Sequence, residues 1–362
     1  MKTKISIFAI ALVFVSLFTA CIKEDKNTPL VELGSNYIIN YGNYSGDKGG
    51  VSLYNLEDST VTNGYFESVN DVASVSNIQY AYHTNGKIYL LGNNVDQVFY
   101  VDENTFEQKA NGISGDDLIK PRYCVAKNNI LYVSCWGGDV WSDPSISYIT
   151  KIDLITNSVI GTISLPGGPE GLAIANGKLY AALNYDKKIA VINLSSEVIS
   201  YIDAPAVSSY FVKDKNENLY VTQVGSYSVT VDKEGIGYIN TQTDELTVYE
   251  LAGVSQSYGN ILEFNMDYSK LYVMTSVYDV DWNLSGAIAV FNVATKTFEA
   301  NMLVSGVLGL NGIAVNKTTD DIYYFVAKSA TANGKMVAIK SDGTVIDEYE
   351  TGISPFMMLT VK

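Results

Sequence analysis

The chain of 362 residues carries net charge −15 and holds one arginine, Arg122, and one histidine, His83. A planar guanidinium in so acidic a chain has two arrangements open to it. It can hold a phosphate or amide oxygens of a ligand by its fork, or it can pair with a carboxylate of the protein. The single imidazole excludes any mechanism that needs a histidine cluster, and no cysteine lies near it to complete a zinc site. His83 therefore reads as a surface or internally satisfied side chain. Five aromatic and polar stretches stand out: Tyr41-Gly-Asn-Tyr44, Trp136-Gly-Gly-Asp-Val-Trp141, Asn184-Tyr185, Ser226-Tyr227 and Tyr278-Asp-Val-Asp-Trp282. Rings at loop tips offer flat, rigid area with few torsions to freeze, which suits a large planar ligand or a sugar. The alternative for each ring is packing inside the fold. Asp279, Asp281 and Asn283 alternate like the oxygen ligands of a calcium loop, but the sixth-position Gly and distal Glu are missing, so a solvated loop is expected and no metal site is assigned. No Gly-rich phosphate loop and no Ser-His-Asp set is present, and the expectation is that the chain performs no reaction and carries no cofactor of its own.

The elements that position these residues are short strands. Residues 170–203 read as four of them, GLAIA, KLYAAL, KIAVINL and VISYID, with Asn176-Gly177 and Asn184-Tyr185-Asp186 supplying the turns. The second strand recurs as NYIIN, KIYLL, ILYVS, KLYAA, NLYVT, KLYVM and DIYYF, with its Tyr at 37, 89, 132, 180, 220, 272 and 323. That spacing suits the four-stranded blades of a β-propeller. A tyrosine that keeps its place in every copy marks the core. First strands start at Gln79, Arg122, Glu170, Ser209, Asn260 and Asn311, one fewer than the second strands. The missing one is the C-terminal stretch SPFMMLTV at 354–361, which aligns with GPEGLAI at 168–174. The expected fold is an all-β, seven-bladed β-propeller spanning residues 35–362, whose closing blade joins the N-terminal strands to the C-terminal one and removes the open sheet edge.

In that fold the second-to-third and fourth-to-first connections ring one mouth of the central channel. The first-strand starts line it: Gln79, Arg122, Glu170, Ser209, Asn260, Asn311 and Phe356. Glu170, on the next blade, is the carboxylate with which Arg122 would pair. Cys124 and Cys135 fall on neighbouring strands around the Asn128-Asn129 turn, 124 facing about 133, and are either a disulfide or two buried thiols.

The N-terminus reads as an address. Met1-Lys-Thr-Lys4 is basic, residues 5–18 are apolar but too short to span a membrane, and Phe18-Thr19-Ala20-Cys21 resembles a lipoprotein cleavage site. Residues 1–20 are thus expected to be a signal peptide, with Cys21 lipidated and 21–34 a lipid-anchored tether. Removing residues 1–20 takes away Lys2 and Lys4 and leaves a net charge of −17. That argues against nucleic acid and anionic membrane surfaces as partners.

The stretch PEGLAIANGKLY at 169–180, followed by IAVINL at 189–194, resembles the YncE-like "surface-layer" β-propeller repeats. Lys23-Glu24-Asp25 resembles the export tag of Bacteroidetes surface lipoproteins. Within that group the Tyr-rich, seven-bladed pattern resembles the cobalamin-capturing lipoproteins of the BtuG type. The resemblance implies an outer-membrane lipoprotein facing the cell exterior. It would bind cobalamin (vitamin B12) or related corrinoids with Tyr41, Tyr44, Arg122, Trp136, Trp141, Tyr185, Tyr227, Tyr278 and Trp282, and deliver them to a TonB-dependent, BtuB-like barrel. A glycan- or protein-binding surface propeller is the alternative. A calcium-dependent lactonase or lyase, with Glu170, Asn260 and Asn311 around the ion, is a third by analogy of fold.

Overall fold

Each repeat builds one antiparallel sheet, and the burial along its strands changes from the inside of the molecule outward. The second strands are buried on both faces and read as unbroken apolar runs, as in Lys87–Gly92, Lys178–Leu183 and Ile322–Val326. The fourth strands alternate, as in Ser158–Ser164 and Glu245–Glu250, because only one side of each touches the molecule. The computed structural model describes residues 34–43, 49–72, 77–225, 231–255, 260–278 and 284–361.

Seven sheets stand in a ring around a channel, six of four strands and one of five. The innermost strands, in ring order, are Pro355–Val361, Ile78–Thr84, Pro121–Lys127, Pro169–Ala175, Phe211–Lys213, Leu262–Phe264 and Leu310–Val315. They are numbered blades one to seven in that order. Blade one closes as the sequence predicts: Pro355–Val361 pairs antiparallel with Ser35–Asn40, from Ser35 opposite Val361 to Ile39 opposite Met357. The hairpins between first and second strands turn on residues with positive φ, Asn85-Gly86 (52° and 73°), Asn128-Asn129 (53° and 61°) and Asn176-Gly177 (46° and 74°). Asn and Gly tolerate that region, and its twist matches the flanking strands.

The repeated tyrosines are core in every blade, with Tyr89, Tyr180, Tyr220 and Tyr272 among the largest fully buried side chains. They bridge blades: the Tyr220 ring meets Phe264 of the next blade edge-on at 5.5 Å. Tyr180 donates its hydroxyl to Asp244 at 2.6 Å, and Lys178 reaches the same carboxylate at 2.7 Å.

Two local differences from the expected strands have physical reasons. The fourth strand of blade six, where one continuous strand is expected from the repeat, is split: Thr297–Phe298 pairs with the third strand, and Val304–Leu308 continues the ladder on the same strand. The helix Tyr65–Asn70 was invisible to periodicity because six residues hold less than two turns; it forms after Gly64, at φ 66°, and buries Phe66. Cys124 lies opposite Val133 in the ladder, and both Cys124 and Cys135 are free, buried thiols. Among the described residues, no helix is long and apolar enough to cross a membrane.

Candidate functional site

The residues at the channel mouth owe their aim to a backbone irregularity. The pairing of first and second strands slips between Ile78 and Tyr80, Pro121 and Tyr123, Pro169 and Leu172, and Leu310 and Gly312. The residues inside these bulges include Gln79, Arg122, Glu170 and Asn311. A bulged residue leaves the ladder and its side chain is re-aimed. Here four blades place a polar side chain at one end of the channel by the same device.

Arg122 takes the second of the two arrangements open to it. Its Nε donates to both carboxylate oxygens of Glu170, at 3.2 and 2.9 Å, and its second terminal nitrogen donates to Oε1 at 2.9 Å. The remaining terminal nitrogen donates to Gln79 Oε1 at 3.1 Å. Arg122 and Glu170 are only 5% and 6% exposed, so this is a buried, bidentate pair. The guanidinium also lies against the Trp136 ring, 4.0 Å from its centroid.

Trp136 is therefore placed otherwise than as an exposed loop tip: it is 3% exposed, and its indole Nε1 has no hydrogen-bond partner among the described residues. Trp141 and Tyr185 stand edge-on to it, with centroids 5.6 and 5.8 Å away. Trp141 is 49% exposed, and Lys120 Nζ lies 5.2 Å from its ring. The loop that sets this corner needs its glycines. Gly137 has φ 74°, and a Cβ there would lie 2.5 Å from the Ile146 carbonyl oxygen. Asp143 then caps the short turn Pro144–Ile146 by accepting from the Ser145 amide.

The rest of the mouth is internally satisfied to differing degrees. Ser209 bonds with the Thr222 hydroxyl, and Asn311 donates to the Pro355 carbonyl at 2.9 Å. Asn260 accepts the Tyr210 hydroxyl at 2.6 Å, and its backbone amide donates to the Phe356 carbonyl at 3.3 Å. Phe356 is buried, and Tyr41 meets it edge-on at 6.5 Å. The structure thus brings Gln79, Arg122, Glu170, Trp136, Trp141 and Tyr185 into one cluster, while Tyr41 and Phe356 form a separate contact in blade one. Tyr44, Tyr227, the Tyr278 side chain, Asp279, Asp281, Trp282, Asn283 and Cys21 lie outside the described residues. His83 pairs with Glu103 near the hairpin end of blade two. Glu170 meets an ion only after leaving Arg122, and among the described residues no group of three His, Cys, Asp or Glu side chains is placed to hold a metal.

Sequence reasoning missed a second layer. Tyr80, Tyr123 and Tyr210 each follow a mouth residue directly, which was the available signal. The Tyr80 and Tyr123 rings stack 3.6 Å apart, and Tyr123 meets Tyr210 edge-on at 5.9 Å. Tyr123 and Tyr210 belong to blades three and five, so they meet across the sector of blade four. Blade four has Gly171 there, where a Cβ would lie 2.3 Å from the Ser209 carbonyl oxygen. Burial pushes all three phenols above their ordinary pKa.

The architecture and this mouth define the class, a seven-bladed β-propeller with a polar, aromatic-walled channel entrance. No family model matches the chain, and no curated protein does. Among solved structures it is similar to a quinoprotein alcohol dehydrogenase-like protein from Bacteroides thetaiotaomicron, at TM-score 0.65 and 16% identity over 91% of this chain and 78% of that one. It is also similar to a periplasmic gluconolactonase from Pseudomonas aeruginosa, at TM-score 0.61 and 12% identity over 91% and 99% of the two chains. A 6-phosphogluconolactonase-like protein from Bacteroides fragilis matches at TM-score 0.60 and 10% identity, over 92% and 99%. Identities this low establish the fold alone. They nevertheless correct the expectation that the chain performs no reaction, because lactonases share this propeller over nearly its whole length.

Proposed function

We propose that the protein captures a corrinoid, cobalamin or a close relative, at the aromatic corner of this mouth, and hands it to a TonB-dependent, BtuB-like outer-membrane barrel. In this reading it hangs from the outer membrane by a lipid on Cys21 and faces the cell exterior, as the resemblance to BtuG-type lipoproteins implies. One observation carries the ligand class. A half-exposed indole, Trp141, and the half-buried Tyr185 flank a buried Trp136 that is itself held on the Arg122–Glu170 pair. Rigid rings fixed from beneath lose little freedom on binding and match the flat edge of a macrocycle.

The test is calorimetric titration of the chain from residue 22 onward with cyanocobalamin and with cobinamide, which lacks the lower nucleotide loop. Saturable binding is expected, weakened at least about tenfold by Trp141→Ala or Tyr185→Ala, the scale of a lost aromatic anchor. Unchanged affinity in both variants overturns the placement of the site. No heat and no thermal shift with either corrinoid overturns the ligand, and a glycan array then examines the alternative.

A further inference from the structure

The channel has a second mouth, at the hairpin ends of the inner strands. In blade three, Arg122 and Lys127 stand at opposite ends of Pro121–Lys127, about 16 Å apart at the usual rise of a strand. A cavity of about 360 Å³ opens at the Lys127 end, lined among others by Tyr80, Tyr82, Tyr123, Phe211, Lys127 and Lys213. That volume lies within the range of small-molecule sites.

The cavity lies beside a small residue of blade four. The ladder sets Tyr82, Val125, Ala173 and Val212 opposite the core tyrosines Tyr89, Tyr132, Tyr180 and Tyr220 of successive blades, so these four positions are equivalent. Blade four contributes the smallest of them, Ala173, followed by the Asn176-Gly177 turn. The stacked Tyr80 and Tyr123 rings reach in from blades two and three. Tyr123 in turn touches Tyr210, which is bonded to Asn260 at the first mouth. The tyrosine layer thus stands between the two mouths.

Charge at the second mouth runs against that of the chain. Of its two lysines, Lys213 is tied to Glu217 at 2.7 Å, whereas Lys127 enters none of the ion pairs found among the described residues. In a chain of net charge −15, the rim of a tyrosine-rich cavity of mixed polar and apolar lining keeps an ammonium with no ion-pair partner among the described residues. The rings of Tyr80, Tyr82, Tyr123 and Phe211 offer flat faces that a naked inorganic anion leaves unused and an aromatic body covers.

We propose that this mouth is a second binding site, for an organic anion in which a carboxylate is carried on a flat aromatic body. The ring occupies the cavity against the tyrosines, and the carboxylate meets Lys127. The probe is 2-naphthoate, with 2-naphthamide as its uncharged counterpart, titrated against the full propeller by calorimetry and tyrosine fluorescence. Saturable binding of 2-naphthoate is expected, at least about tenfold tighter than that of the amide and at least about tenfold weaker in Lys127→Ala, the loss expected for one charge-assisted contact. Ala173→Phe, which fills the cavity, abolishes it, with circular dichroism confirming the fold. Corrinoid binding at the other mouth is unchanged in Lys127→Ala, so either site fails independently of the other. No saturable binding of 2-naphthoate, or equal binding by the wild-type protein and both variants, overturns the proposal.

Discussion

The two ends of the channel handle buried polarity in opposite ways. At the loop-rich mouth a full positive charge is taken out of water and neutralised at once: Arg122 is bidentate to Glu170, bonded to Gln79 and roofed by Trp136. At the hairpin mouth the charges stay at the solvent-facing rim, and the interior polar groups are neutral phenols bonded to one another and to Asn260. A buried ion pair holds a geometry whatever the surrounding water does, at a desolvation cost that its partners must offset. A layer of phenols costs far less to bury, but it holds only while every phenol keeps its proton.

Alkali breaks the second arrangement, and with it the largest effect is expected. The Tyr80, Tyr123 and Tyr210 phenols are raised by burial above 10.0, and Cys135 is pushed up from 9.0 to about 12 by burial. Tyr89, Tyr148 and Tyr272 are likewise pushed up to about 12, chiefly by burial. A group whose folded pKa lies above its unfolded one contributes stability that is complete below the unfolded value and is lost as pH climbs toward the folded one. Stability is therefore expected to be level up to about pH 9 and then to fall. Each such group contributes up to about 1.4 kcal/mol per pH unit, so several together unfold the protein before pH 12. Phenolate absorbance and circular dichroism followed together check this. The two should change in one cooperative step, whereas a channel phenol titrating near pH 10 in an intact fold would contradict the packing described.

The first arrangement breaks by losing one partner. Glu170→Ala leaves Arg122 charged and buried, and is expected to destabilise the protein by about 3–5 kcal/mol in urea unfolding. Replacing both members, Arg122→Met with Glu170→Leu, should recover most of that loss. If the single variant costs under about 1 kcal/mol, the pair is solvated and the mouth is not the closed cluster of the first comparison.

How much of this was legible in the sequence follows the same division. The ring, its blade count and its closure were readable because KLYAA and its copies repeat, and because the C-terminal stretch supplies the one missing first strand. The core role of Tyr89, Tyr180, Tyr220 and Tyr272 was readable for the same reason. The mouth residues were locatable by strand order, and the Arg122–Glu170 pair was one of two arrangements anticipated. What could not be read was the direction of individual side chains. A bulge at Arg122 or Glu170 turns one residue out of the ladder without any mark in composition, and it decides that Trp136 is buried against a guanidinium. The phenol layer was hidden because it joins blades three and five across Gly171, a contact between residues 123 and 210 that no local pattern announces. The expectation that the chain performs no reaction rested on absent motifs, and it is corrected because solved structures of the same fold include a gluconolactonase.

The smallest expected effect tests the sharpest feature of the loop-rich mouth. Trp136 buries an indole N–H that has no partner among the described residues, which costs about 1–3 kcal/mol. Trp136→Phe removes that donor while keeping a ring beneath Trp141 and Tyr185, at the expense of some packing and of the contact with Arg122. The gain and the loss are of similar size, so stability should change by no more than about 1 kcal/mol in either direction. Corrinoid titration of the same variant decides what the donor is for. If it serves a ligand acceptor, affinity falls at least about fivefold, the scale of one neutral hydrogen bond, while stability stays level. If affinity is unchanged, Trp136 is a positioning residue that holds Trp141 and Tyr185 on the Arg122–Glu170 pair.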